Sequence, residues 1–517
     1  MDDEERAASP GDGPETRIAS QQQGRRPPRT AAGLSRRGGV WPLLALLLAV
    51  QLSWSLYQLP VNRVVERRLC REYYRAHDPA AIGPGGGVDE ELCKVDEIQQ
   101  HLAWILGAME TAWIVGDFVM TIPLGFLAEK YGQKAVLWLN LIPRIFTIAW
   151  ALMVGFHDAV PLAAIVAGPI LSVLGGDCVF NSITYALAAS LTDDYVTRAT
   201  YFGWMSSVSY IVNLLGPGLA GATMTVTLWL PFLISICLLL LAIPTVSLLP
   251  TGDMSHPATS STTAQDDEQR EPLMPSPLLK AQNSNPSTWS SIKQRVRVLR
   301  LTVASHPRNL ILLLISFLLT SLASSDTKLL PQYISKRYNW TFAAAGYLLS
   351  GKAVVNFFLL TFVIPGILRS TQRTDLPQSQ SEVSDKVNIR YARICLVVSV
   401  FGALAIALAG TIWLLFPSLL LYALGSALPV FTLSLLKSPS VSPKHEGQVH
   451  DSTETHLFSV VMMVKTLGSL LGAPLMALLW VRGIATGGGG MGTPYYVSAA
   501  CYVAAIVVFS GIKIVRH

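Results

Sequence analysis

An all-α integral membrane protein, with twelve transmembrane helices in two six-helix bundles, is the fold class this sequence predicts. Three observations predict it. The chain of 517 residues is 51% hydrophobic and only 14% charged, with mean hydropathy +0.43, which is too apolar for an ordinary soluble protein. Apolar runs of about 20 residues, long enough to cross the ~30 Å hydrocarbon core as helices, recur along it. They fall as six, a polar linker, and six again. The net charge of +6 does not point to nucleic acid, because the basic residues gather in tails and loops beside the apolar runs.

Residues 1–39 are polar and rich in Gly, Pro, Gln and Arg, and predict a disordered tail. Arg25, Arg26, Arg29, Arg36 and Arg37 put this tail on the cytoplasmic side. It is not read as a secretory signal, since its apolar run begins far from Met1 and no small-residue cleavage site closes it. The first bundle takes residues 40–249, with spans expected at Val40–Leu59, Gln100–Ala128, Ala135–Phe156, Val160–Leu191, Thr200–Met224 and Leu228–Leu249. Between the first two, residues 61–97 read as an outer loop. Cys70 and Cys93 lie in it, on the oxidising side if the first span runs outward; a disulfide and two free thiols are both open. Residues 250–308 are rich in Ser, Thr, Pro and Gln and read as a cytoplasmic linker. Its basic end, Lys293, Arg295, Arg297, Arg300 and Arg308, suits an amphipathic helix on the membrane surface.

The second bundle, 309–517, has spans expected at Asn309–Pro331, Phe342–Leu368, Ala392–Gly410, Ile412–Leu436, Thr455–Val481 and Pro494–Ile514. Arg369, Arg373, Lys386, Arg390, Lys444, Lys513 and Arg516 then fall on the linker side, so that both termini are cytoplasmic. Asn339-Trp340-Thr341 is a glycosylation sequon on the outer side.

The stretch GFLAEKYGQKAVL, Gly125–Leu137, is a short charged break between the second and third spans. Gly125 and Gly132 suit close helix packing and a tight turn. With Leu127, Ala128, Glu129, Lys130 and Lys134, this stretch resembles the signature of the major facilitator superfamily (MFS), Gly-x-Leu-Ala-Asp-Arg-x-Gly-Arg-Lys; Gln133 departs from it. The layout CREYY…ELCK around Cys70 and Cys93 resembles a fungal branch of that superfamily and, more distantly, the branch of the proton-coupled folate transporter. In the fifth span, Gly203, Gly216, Pro217 and Gly221 fall on the family's antiporter motif, with Val212 and Ala220 replacing two of its glycines. Helix packing alone also explains small residues there. The resemblance implies two bundles rocking about a central cavity, the second span packed on the eleventh and the fourth lining the cavity.

Charges inside spans are costly, about 2.5–3.5 kcal/mol each at a helix centre, and so mark ion pairs or functional sites. The ~1.5 Å rise per residue puts Asp117, Arg144, Asp177, Lys352 and Lys465 near the midplane. Glu110 lies nearer the outer edge on the Asp117 face. These six are the candidates for a substrate and proton pathway, with structural ion pairing as the alternative for each. An Asp117–Lys465 pair between the halves is expected to change partners as access alternates. The inner set counts two acids against three bases, which leaves room for an anionic substrate group.

Other features carry no chemistry. Gly487–Gly490 reads as a flexible outer loop without a phosphate-binding context. His445, His450 and His456 read as a solvated cytoplasmic loop, which their irregular spacing favours over the alternative of a pH or metal role, and Trp41, Tyr495 and Tyr496 as belt aromatics. No nucleotide-hydrolysis motif is present. The expectation is therefore not an enzyme but a secondary transporter of a small organic solute, exported in exchange for protons. The expected partners are solute, protons and the bilayer, with no cofactor, no metal and no nucleic acid. A monomer is expected, in the plasma membrane, with the vacuole or another endomembrane as the alternative. A proton-coupled nutrient importer and a non-transporting sensor on the same fold are the rival readings.

Overall fold

A computed structural model of the protein describes residues 40–83, 87–191, 195–249, 308–359, 362, 380–436 and 450–512. The tail 1–39, nearly all of the linker 250–308, and Arg369, Arg373, Lys386, Lys444, His445, Lys513 and Arg516 have placements or side chains outside the described residues, as does the side chain of Glu129. What is described is almost wholly helical. Among the described residues, nine helical stretches are long and apolar enough to cross a membrane; Phe342–Phe358 and Ile412–Ala427 are shorter apolar ones.

Helix α1 (Val40–His77) runs well past the predicted end of the first span. Residues 61–77, expected in the outer loop, continue the helix through Pro60. The extension is held from outside: Val64 and Val65 are buried, and Arg68 donates to the carbonyls of Val154 and His157 at 2.8 and 2.7 Å. Helix α2 (Asp96–Tyr131) and helix α3 (Gln133–Phe156) are joined by one residue. Most of the charged break is therefore helix, and the turn is Gly132 alone. Its φ of +90° is a conformation that side-chain-bearing residues rarely adopt. A Cβ added at Gly125 would meet nothing within 4 Å, so close packing does not account for that glycine here.

The fourth predicted span is interrupted. A 3-10 segment (Leu162–Leu174) contains Pro169, which lacks a donor, and it ends at Gly175, φ +147°. After Gly176 the chain restarts as helix α4 (Asp177–Ser190). Helices α5 (Tyr195–Val226) and α6 (Leu230–Leu248) complete the first set.

In the second set, α7 (Arg308–Ser324) passes through a 3-10 turn (Ser325–Lys328) into α8 (Leu330–Tyr338). Then come α9 (Phe342–Phe358) and α10 (Gln380–Leu408). Helix α11 (Ile412–Leu424) is followed by a 3-10 turn (Gly425–Ala427) and α12 (Leu428–Leu436). Helices α13 (His450–Thr486) and α14 (Thr493–Ser510) end it. His450 and His456 therefore belong to a helix, not a loop. Gly488–Gly492 form a 3-10 turn. Tyr495 is 1% exposed and packs edge-on to Tyr333 at 4.9 Å, a core position rather than a belt one.

Two apolar cores follow this division. One gathers residues of α1–α6, the other residues of α7–α14. Only a few residues cross: Phe342 of α9 joins the first core and Ala103 of α2 the second. The halves meet along two seams of small residues, which let backbones approach. Helix α5 lies on α9, where a Cβ at Gly221 would stand 2.8 Å from the Ala343 carbonyl and one at Gly346 would stand 2.6 Å from that of Pro217. Helix α2 packs on α13, at Gly107 against Ala477.

Candidate functional site

Between the halves lies a cavity of about 210 Å³, with α1, α2 and Pro217 of α5 on one wall and Ser325, Lys328, Gln332, Leu349 and Ala477 on the other. Its charged lining residues are Glu110, from α2, and Lys328, at the end of the 3-10 turn. They pair at 3.4 Å. Gln58, with its amide oxygen turned inward, accepts from Lys328 Nζ and Trp54 Nε1, both at 3.1 Å. Of the six predicted pathway residues, Glu110 is the one that lines this cavity. Lys328, its partner, is a residue that the charge reading passed over. So is Asp326, although both sit inside the predicted span Asn309–Pro331 and two charges in an apolar run were the available signal.

Behind the cavity wall on the first half, Arg144 is 1% exposed and bonds Asp177 at 2.7 Å and Asn140 at 3.1 Å. Its guanidinium is 5.3–5.6 Å from the ring centroids of Trp54, Trp113 and Phe180, so aromatic faces supply the rest of its environment. Trp113 also donates to Asp177 at 3.2 Å. The broken fourth span places all of this. Asn140 donates to the Gly176 carbonyl at 2.9 Å, holding the break open, and Asp177 begins the half-helix.

Asp117 completes the arrangement. Its Oδ2 accepts from the Cys178 amide at 2.8 Å, at the N-terminus of α4, where unsatisfied amides and the helix dipole favour a carboxylate. Its Oδ1 is buried without a hydrogen-bond partner among the described residues. Gly176 is required for this approach, since any Cβ there would meet the Asp117 side chain. Asp117 and Lys465 do not pair in this conformation; Lys465 makes no ion pair among the described residues, and its carbonyl accepts from Ser321 at 2.6 Å.

On the second half, Asp326 is fully buried and receives the Tyr422 hydroxyl at 2.9 and 3.2 Å. Lys352 lies 5.3 Å from the same tyrosine ring, with no ion pair among the described residues. With Asp326, Lys328 and Glu110 counted, the inner charges become four acids (Glu110, Asp117, Asp177, Asp326) and four bases (Arg144, Lys328, Lys352, Lys465). The expected surplus of positive charge is thereby corrected to balance.

The end of the bundle that carries the cysteines is bridged from half to half. Cys70 and Cys93 form a disulfide, packed with Val88 and Ile98 in a small core of its own. Just beyond it, Lys94 bonds Glu66 at 2.6 Å, both nearly unexposed, and also donates to Ser335 of α8 at 2.6 Å. Glu90 takes Arg63 at 3.1 Å and accepts from the first amide of α9, Phe342 N, at 2.8 Å. Lys336 pairs with Asp96 at 2.5 Å and donates to the Lys94 carbonyl. At the opposite end, Lys130 lies over Tyr131 and Lys134 donates to the Ser247 carbonyl at 3.4 Å. Of the antiporter-like positions, a Cβ added at Gly216 would meet Ser55 and one at Gly221 would meet Ala343, whereas one at Gly203 would meet nothing within 4 Å. Asn339 is exposed and left-handed at φ +54°, and Thr341 caps α9 through its hydroxyl.

Residues 95–473 match the family model described as Major Facilitator Superfamily. Among curated proteins, the chain is 26% identical over 499 residues to the MFS efflux pump atnC of Emericella nidulans, covering 94% of this chain and 90% of that protein. It is 25% identical over 453 residues to the efflux pump ustT of Aspergillus flavus, covering 85% and 82%. Among solved structures, the human organic anion transporter MFSD10 superposes with TM-score 0.51 at 17% identity, over 92% of this chain and 99% of that one. A D-xylose–proton symporter superposes with TM-score 0.55 at 13% identity, over 92% and 97%. At those identities the likeness is one of fold.

Proposed function

The chain belongs to the Major Facilitator Superfamily and is a multi-pass membrane transporter; from that premise we propose that it exports a small organic solute in exchange for protons. The observation that carries this reading is the pairing of one sealed end with one central cavity. Lys94, Glu90 and Lys336 tie the halves together at the disulfide end, while the Glu110–Lys328 pair spans the cavity between them. Rocking the halves would break the first set and open that end. The disulfide supports assigning it to an oxidising exterior or lumen, with the Gly132 turn on the cytoplasmic face.

Direction and coupling rest on further support. The relatives atnC and ustT are named efflux pumps, and Gly221 of the antiporter-like motif lies in one of the two seams at which the halves touch. Four carboxylates lie inside the spans, where protonation is the cheapest way to remove a charge. The test is purified protein in liposomes holding a pH-sensitive dye, screened against organic anions, cations and neutral metabolites. Solute-dependent proton flux that is lost in Glu110→Gln is the expected result, and its sign separates export from import. Binding without flux of solute or protons would instead favour a sensor.

A further inference from the structure

Resting on the transporter reading, we infer that the solute is a small zwitterion with an apolar body, seated with its anionic group on Lys328 and its ammonium on Glu110. The cavity itself supplies the argument. Glu110 and Lys328 stand 3.4 Å apart with side chains 28% and 50% exposed, so both are open to a ligand, yet each satisfies the other while the site is empty. A solute bearing one charge takes one partner and strands the other in a confined cavity, at a cost that pairing no longer offsets. A zwitterion exchanges one ion pair for two and preserves the four-to-four balance of inner charges.

A second, independent observation agrees. Three lining side chains, Tyr57, Asn62 and Gln332, are 4%, 8% and 4% exposed, and the Tyr57 hydroxyl, Asn62 Oδ1 and Gln332 Oε1 have no hydrogen-bond partner among the described residues. Two of these atoms accept only, and the hydroxyl both accepts and donates, so this wall offers acceptors suited to a donor group such as an ammonium. The rest of the wall suits an aromatic or aliphatic body. Trp54 and Trp113 lie 4.5 Å apart, with Leu106 and Leu349 beside them in the lining.

The experiment is calorimetric titration of the full-length protein with phenylalanine (zwitterion), N-acetylphenylalanine (anion) and phenylalanine amide (cation), each also added as a competitor in the liposome assay. The expected result is that phenylalanine binds at least tenfold more tightly than either singly charged form. Glu110→Gln should relieve the penalty on the anion, and Lys328→Gln the penalty on the cation. A pair serving only to hold the fold would shift all three ligands together. Equal or tighter binding of either singly charged form overturns the inference, as does binding of none of the three. If another solute still drives flux in the liposomes, the transporter reading survives that failure; if nothing does, the failure lies with the transporter reading itself.

Discussion

The two halves of this protein solve the same packing problem with opposite electrical content. The first half holds three inner acids and one base, and its buried charges are bound to one another: Arg144 to Asp177, and Asp117 to the amides of α4. The second half holds one acid and three bases; Asp326 is tied to a tyrosine, while Lys352 and Lys465 make no ion pair among the described residues. Both interrupt their fourth span at glycine, Gly175–Gly176 in one and Gly425 in the other. Only in the first does a carboxylate follow the break; in the second it is Ser426, which donates to Asn356 at 3.0 Å. The lesson is that a shared backbone irregularity gains its chemistry from the one residue set after it. The first half reads as a fixed frame, and the second as the side with cations free to change partners.

The sharpest way to break this comparison is to mutate the two interruptions in parallel. Asp177→Asn should lower unfolding stability in detergent by about 3 kcal/mol, the low end for stranding a buried ion because Asp177 itself is half exposed. Ser426→Ala, at the corresponding place, should cost no more than about 0.5 kcal/mol. Thermal melts of both variants decide this, and equal losses would erase the distinction.

Removing the bridge between the halves should have a smaller effect on stability. Lys94→Met leaves Glu66 buried but still paired with Arg63 at 2.8 Å, so about 2 kcal/mol is expected. Labelling of a cysteine placed at Ser335 should rise at the same time, as the disulfide end opens. Lys352→Met should change stability by less than about 1 kcal/mol, because it removes a cation that no carboxylate was holding, while solute flux falls. A large loss of stability would mean that the second half is as tightly bound as the first.

The smallest effect is at the surface. Burial pushes the Asp158 carboxyl up, but the charges of Arg71 and Arg68 and the hydrogen bonds from Arg75 and Arg71 together outweigh it and hold the carboxyl below the ordinary value. The folded form therefore gains stability from this group above the ordinary aspartate value of about 3.9. That gain is lost as pH falls through the depressed one. Asp158 is 42% exposed, so solvent screening keeps the gain small. Asp158→Asn should flatten only the acid end of a stability–pH profile.

Helices were legible wherever an apolar run of spanning length carried the signal, and this covers most of both halves. Three kinds of feature escaped. The extension of α1 to His77 depends on Arg68 finding carbonyls at the end of α3, a contact that no local pattern encodes. The break at Gly175–Gly176 lies in a run so apolar that hydropathy passes straight over it. The partner of Asp117 was sought among cations, but rotation about helix axes decides which side chains meet, and a half-helix N-terminus supplied the positive potential instead. Lys328 and Asp326 are different, because their charge is visible in the sequence within the expected span Asn309–Pro331.

The interrupted fourth span has a mechanical consequence. A continuous helix transmits torque along its length, so that turning one end turns the other. Here a 3-10 rod and an α-helical rod meet at two glycines, with Asn140 and Asp117 gripping the joint from either side. Across this joint the two rods are linked through those hydrogen bonds and not through a continuous helical ladder.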